Sequence, residues 1–239
     1  MSQAVRPNEH RFTDRGELTR ALAGQIVQSL DAAVAARGAA SFVVSGGTTP
    51  GPLFDLLSET RAPWDKVEVA LADERWVEPD DPRSNERLVR SHLIRARAAA
   101  ARFTPMKTPD PEPEAAEAKV SAALGALPRP FDVTLLGFGE NGHTASLFPH
   151  GVGLKAALDL DDPALARAVR PVPPDDPLPP RMSMTLRALL DSHRIDLLFT
   201  GEAKWAAYED ALAGNDVEAA PARAVLRQHQ TPVQVWWAP

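Results

Sequence analysis

The sequence of 239 residues contains no cysteine. That absence excludes disulfides, thiolate metal sites and a cysteine nucleophile together, and leaves a cytosolic enzyme as the natural class. Long hydrophobic runs are missing too. Nothing approaches the roughly 18 apolar residues of a membrane span, although a hydrophobic fraction of 44% is ample for a sizeable core. The opening residues, MSQAVRPNEHRF, lack the apolar centre of a secretory signal, so a cytoplasmic location is expected. Nor is there an excess of positive charge. With 26 Lys and Arg against 32 Asp and Glu, the net charge is -6. This opposes a general nucleic-acid role and leaves room for a local basic pocket that takes a small anion. No fixed-period repeat is present. His10, His92, His150, His193 and His229 show no metal-ligand spacing, so no metal site is expected.

What is present is an alternation of helix and strand signals. Leu18, Leu22, Val27, Leu30 and Val34 predict a helix over 16–37 that stops at Gly38. A strand follows at 41–44, then a helix opened by Pro50 and carrying Leu53, Phe54, Leu56 and Leu57, then a buried strand at 67–72. The pattern continues with a helix from near Ser84, a short strand at 103–106, an alanine-rich helix over 113–127 and a strand at 131–136. The last third reads as a strand at 169–172, a helix over 181–190, a strand at 195–200, a helix over 202–212 and an edge strand at 233–236. Such alternation implies an α/β fold on a mostly parallel sheet. Two proline-rich stretches, 104–114 and 171–180, interrupt it. Because the signals continue unchanged on both sides, these are expected to be stiff ordered loops within one domain spanning 1–239.

The segment FDVTLLGFGENGHTASLFP, residues 131–149, runs from a buried-looking strand into glycines and then a histidine. In an open α/β sheet ligands sit outside the carboxyl ends of the strands, so His143 is delivered where chemistry is done. Gly137, Gly139 and Gly142 also spell the dinucleotide fingerprint G-x-G-x-x-G. That reading needs a full crossover helix after the glycines, whereas Pro149, Gly151 and Gly153 follow at once. The glycines are therefore expected to shape a tight turn. A neutral imidazole there, with an ordinary pKa near 6.5, can take a proton from an attacking water and return it to a leaving oxygen.

Three more constellations lie at predicted strand ends or beside them. In SGGTTP, residues 45–50, Gly46 and Gly47 permit close backbone approach, Ser45, Thr48 and Thr49 add hydroxyls, and Pro50 opens a helix. The loop reads as a phosphate cradle or as an ordinary strand-to-helix turn; it is not a Walker loop, lacking that motif's lysine and glycine spacing. In LADERWVEPDDPRSN, residues 71–85, Asp73, Glu74 and Arg75 appear abruptly after apolar residues and Asn85 closes the segment. Metal site, acid-base pair and surface ion pair all fit, the last being the commonest outcome for such a string. Arg181 in PPRMSMT and Lys204 in TGEAKW are the third pair. A lysine in the first turn of a helix opposes the helix dipole, which fits either an anionic partner or simple solvation.

Taken together, SGGTTP, DERWV with SN ten residues after Arg75, GFGENGHTASLFP, PPRMSMT and GEAK resemble the 6-phosphogluconolactonase family in order and spacing. The wider group includes glucosamine-6-phosphate deaminase. The resemblance implies a Rossmann-like three-layer αβα fold and hydrolysis of 6-phospho-D-glucono-1,5-lactone to 6-phosphogluconate in the pentose phosphate pathway, without metal or organic cofactor. It implies His143 as general base with Asp73 and Asn141 beside it. Substrate would be held by Ser45, Gly46, Gly47, Thr48, Thr49, Arg75, Asn85, Arg181 and Lys204. The expected partner is the phosphosugar lactone alone, on a monomer or weak homodimer. Two alternatives are a sugar-phosphate deaminase or isomerase and a non-catalytic sugar-phosphate-binding protein. The deaminase carries a glutamate shortly after its histidine, and residues 145–149 contain none. The chain also departs from the family at Asn141, where aspartate is common. Asparagine keeps a hydrogen bond but loses the charge and leaves the imidazole tautomer open. Because Asn-Gly tolerates positive φ, Asn141 is expected to serve mainly the turn.

Overall fold

The computed structural model describes residues 6–172 and 178–239, so part of the proline-rich stretch 171–180 lies outside the described residues. Seven parallel strands stand in the order β1 (Asn8–Arg11), β10 (Val233–Ala238), β9 (Ile195–Thr200), β6 (Val133–Gly137), β2 (Ala40–Val44), β3 (Val67–Leu71), β5 (Arg102–Thr104). The central runs, such as ASFVV and VTLLG, are buried at nearly every position, as strands covered on both faces must be. Helices flank the sheet: α1 (Arg15–Arg37), α2 (Gly51–Glu59), α3 (Asn85–His92), α4 (Glu117–Gly125) and α7 (Glu202–Ala213) are the longest. This is the α/β architecture that the alternation implied. Asp14 caps α1 by accepting from Glu17 N–H, and Gly38 ends it in the left-handed region at φ 77°, donating to Val34 O. No helix among the described residues is long and apolar enough to cross a membrane.

The order of strands locates the site. From β2 the chain moves to β3 on one side and later returns to β6 on the other, so the carboxyl ends of β2 and β6 flank a topological switch point. The loops after them are the SGGTTP and GENGH segments.

Several elements differ from the sequence expectation. Residues 181–190 are not one helix. Arg181–Met184 forms β8, and only α6 (Leu186–Leu190) is helical, capped by Thr185 Oγ1 accepting from Ala188 N–H. β8 lies between β4 (Asp73–Arg75) and β7 (Ala166–Val169) in a small antiparallel sheet, so cross-strand pairing overrides the local helical preference of Arg, Met and Leu. The strand expected at 169–172 is β7, ending where 169–172 was to begin; Arg170 keeps only a bridge to Val152. β10 is not an edge strand. The polar NEHR strand β1 covers it, its His10 stacked on Trp236 at 4.1 Å. In the alanine-rich stretch, residues 113–116 are a 3₁₀ turn and α4 starts at Glu117. The proline-rich loop 104–114 is tied down by Trp76, whose indole N–H reaches Asp110 O at 3.1 Å and whose ring lies under Lys107.

Glu74 is not a surface ion-pair partner. It is fully buried, with Oε1 accepting from the backbone N–H of Arg75 and Asn85 and Oε2 from Glu86 N–H and Ser84 Oγ. The carboxylate thus closes the N-terminus of α3 onto β4, and a charge at a helix start is favourable. Glu74→Gln is expected to cost about 2–4 kcal/mol, because either placing of its amide turns an N–H toward at least one backbone N–H, which can only donate. A lower urea midpoint at unchanged m-value checks this; an unchanged midpoint refutes it.

Candidate active site

Every segment singled out in the sequence arrives at one cavity of about 390 Å³. Residues 45–49 leave β2 and bring Ser45, Gly46, Gly47, Thr48 and Thr49; β4 brings Asp73 and Arg75; the start of α3 brings Asn85. The turn after β6 brings His143, β8 brings Arg181, and the first turn of α7 brings Lys204. Asn141 alone of the nominated residues does not line the cavity. It stands behind His143.

The turn that carries His143 is fixed by its own backbone. Gly139 N–H donates to His143 O and Gly142 N–H to Gly139 O, each at 2.9 Å, while Thr144 Oγ1 donates to Gly137 O. Gly142 holds the positive φ, 76°, so the left-handed residue is the glycine and not Asn141. At Gly139 a Cβ would lie 2.1 Å from Nδ1 and Cε1 of the histidine, so the glycine makes room for the ring. The first helix after the turn, α5 (Leu154–Leu158), has five residues and is no crossover helix for a dinucleotide.

Asn141 Oδ1 lies 2.5 Å from His143 Nδ1 and also accepts the backbone N–H of His143 at 3.3 Å. A backbone N–H can only donate, so the atom facing it is the carboxamide oxygen. The same oxygen then requires a proton on Nδ1. Nε2 is left as the basic nitrogen. The oxygen thus closes an Asx turn, as expected of Asn141, and the same atom also faces the imidazole, for which Nδ1–H is the matching tautomer.

Burial, and after it the positive charges of Lys204, Arg181 and Arg75, push the imidazole down to about 4 against the opposing pull of Asp73. The ring is half-buried, with protein around most of it and one face on the cavity. It is neutral at pH 7. Burial also lowers the pKa of the Arg181 guanidinium, which nonetheless stays charged. Among the described residues none of Arg75, Arg181 and Lys204 has a carboxylate within ion-pair distance. Nor do the backbone N–H groups of residues 46–49 have a partner there. Four buried polar atoms around the cavity, Ser45 Oγ, Arg75 Nε, Asn85 Oδ1 and Arg181 Nε, are likewise unpartnered among the described residues. Apart from the Asn85 oxygen these are donors, so the cavity offers donors and positive charge to an anion.

Asp73 and Asn85 act as a unit. Asn85 Nδ2 donates to the Asp73 carbonyl at 2.8 Å, and its Oδ1 sits where a side chain at Gly46 would have to be, 1.8 Å from an ideal Cβ. That contact requires glycine at 46. The second Asp73 oxygen accepts from Ser146 Oγ.

Two contributors were not singled out in the sequence. Ser146 holds Asp73, and the Phe148 ring lies 4.8 Å from the His143 ring with the Arg181 guanidinium 5.6 Å from it on the cavity wall. Both stand in the segment that carries His143, but only the fold shows that the chain doubles back so that they touch β4 and β8.

Comparison with known proteins agrees with this construction. The family described as glucosamine-6-phosphate isomerases/6-phosphogluconolactonase matches residues 13–237. A 6-phosphogluconolactonase of Caulobacter vibrioides is 45% identical over 234 residues, covering 95% of this chain and 95% of its own. One from Rhizobium meliloti is 41% identical over 97% of this chain and 99% of its own. The crystal structure of a 6-phosphogluconolactonase from Shewanella baltica superposes with a TM-score of 0.94 at 42% identity, each chain covered in full. With the same fold and near-complete sequence coverage, this chain belongs to the glucosamine-6-phosphate isomerase/6-phosphogluconolactonase family.

Proposed function

We propose that the protein hydrolyses 6-phospho-D-glucono-1,5-lactone to 6-phosphogluconate, with His143 as general base. The observation that carries this reading is a neutral histidine of defined tautomer in one cavity with an amide-rich glycine loop and three cations. The loop of residues 45–49, Arg181 and Lys204 take the phosphate, which holds the ring with its carbonyl carbon before Nε2. Water adds to that carbon as Nε2 removes its proton. The tetrahedral oxyanion that forms is stabilised by nearby cationic donors such as Arg75. Collapse breaks the bond from the carbonyl carbon to the ring oxygen, and the imidazolium returns its proton to that oxygen, leaving the open-chain acid. The Asp73 carboxylate favours the transient imidazolium. The same reading has the protein act as a monomer or weak homodimer. The lack of cysteines fits work in the cytoplasm.

Lactone hydrolysis, with the spontaneous rate subtracted, tests the roles. His143→Ala is expected to lower kcat by roughly 10²- to 10⁴-fold, the range for a positioned base. Lys204→Ala is expected chiefly to raise KM, by about tenfold or more, as loss of a charge-assisted contact does. Ammonia release from glucosamine 6-phosphate, or full turnover by His143→Ala, would sink the reading.

Only the neutral imidazole serves as base, so kcat/KM is expected to fall as pH drops through about 4, the value in the free protein. A bound phosphate dianion offsets the three cations that hold the imidazole down, so the acid limb of kcat should lie at higher pH than that of kcat/KM. Coincident limbs would count against phosphate binding beside His143. In Asn141→Asp a carboxylate facing Nδ1 favours the imidazolium, and the kcat/KM limb is expected to move up from about 4.

A further inference from the structure

Arg223, which no motif in the sequence singles out, lies on α8 (Ala222–Leu226) and is buried. Its guanidinium gathers three backbone carbonyls: Nε donates to Ala211 O at 3.2 Å, Nη1 to Asp216 O at 2.7 Å and Nη2 to Asp210 O at 3.2 Å. Nη2 also meets the Asp210 carboxylate at 3.1 Å. The end of α7 and the loop of residues 214–221 are thereby drawn around one side chain. The fit is close. A Cβ at Gly214 would lie 2.1 Å from Nη2, so a side chain there would displace the guanidinium. Asp216, held by Arg223 through its carbonyl, accepts from Glu218 N–H and Ala219 N–H with Oδ1 and shapes the next turn.

That loop is what the catalytic turn rests on. Ala222 N–H donates to Gly142 O at 2.9 Å, and a Cβ at Gly142 would lie 2.6 Å from Ala220 Cβ, so turn and loop are in direct contact. His150 N–H donates to Glu218 O, which ties the far end of the histidine segment to the same loop. Behind the turn lies a second cavity of about 380 Å³, lined by Asn141, Gly142, Ala220 and Arg223 among others. With open space on that side, the turn is held there by the contact with residues 220–222 and not by general packing.

We propose that Arg223 is a positioning residue for the general base: it sets the 214–221 loop, the loop sets Gly142 and Asn141, and Asn141 sets His143. Arg223 touches neither the cavity of the substrate nor the reacting atoms. The chemistry asks for arginine, since a planar fork with five donors can serve separated carbonyls, whereas a lysine ammonium is one compact donor point. The inference rests on His143 being the base, and the experiment separates the two.

Arg223→Lys, Arg223→Ala, Ala220→Val and His143→Ala are compared with the parent in lactone hydrolysis as a function of pH. Loss of the buttress is expected to lower kcat by about tenfold to a hundredfold, the scale for a base misplaced by an ångström, with KM changed less than about twofold because the phosphate cradle is untouched. The acid limb of kcat/KM is expected to rise from about 4 toward the ordinary histidine value as the turn loosens and water reaches the ring. Millimolar guanidinium chloride should restore part of the kcat of Arg223→Ala. Ala220→Val presses on Gly142 from the other end of the same contact and reads the coupling even where both Arg223 variants fail to fold. A role in stability alone would leave kcat per folded molecule and the acid limb at parent values in the Arg223 variants and in Ala220→Val, which overturns the proposal. If His143→Ala keeps the parent kcat, the base reading itself falls, whatever the Arg223 variants do.

Discussion

The pairing of β2 with β6 is the constraint on which the site depends. Three rungs, Phe42 with Val133, Val43 with Thr134 and Val44 with Leu135, align two strands far apart in the chain so that both end at the same edge. A parallel pair needs a long crossover, and here the crossover contains β3, β5 and the helices between them. The consequence is that the glycine loop after β2 and the histidine turn after β6 open side by side. Both strands are buried on both faces, so a one-residue slip would exchange the side chains packed against the two helix layers. It would also separate Gly46 from Asn85 and His143 from the cations.

Around that pair the structure assigns opposite electrostatic tasks to neighbouring groups. Arg75 and Arg181 face each other as register partners in the small antiparallel sheet, an arrangement of like charges that is unfavourable unless an anion lies close by. Burial first, and the same positive charge after it, keep His143 neutral, the form that the proposed role as base requires. Asp73 supplies the counterweight, favouring the imidazolium. In the proposed mechanism, phosphate binding and basicity are coupled through this one charge distribution.

Much of this was legible in the residues. The helix over 16–37 with its glycine stop, the apolar strands at 67–72 and 195–200, and the placing of His143 at a sheet edge all follow from periodicity and turn chemistry, which act over a few residues. The failures share a cause. RMSM read as helix because its residues favour helix locally, yet β4 and β7 supply strand partners on both sides. NEHR carried no apolar signal, since an edge strand buries little. Glu74 looked like a surface charge, and became a buried cap because four donors converge on it from residues that are remote or backbone. Asn141 was read as a turn residue and does close an Asx turn, but Gly142 takes the unusual backbone angle, and that the same asparagine oxygen also meets the His143 ring was not read.

The sequence by itself determined the class of fold, the sheet edge at which the cavity opens, and the residues that gather there. Each of these depends on residue type and short-range spacing. Only the tertiary structure decided that Nδ1 of His143 faces the Asn141 oxygen, that Asn85 and Gly46 are matched to each other, and that Arg223 stands behind the turn carrying His143. Those are contacts between segments remote in the chain or choices among atoms of one side chain, and hydrogen-bond direction and close packing, not local propensity, set them.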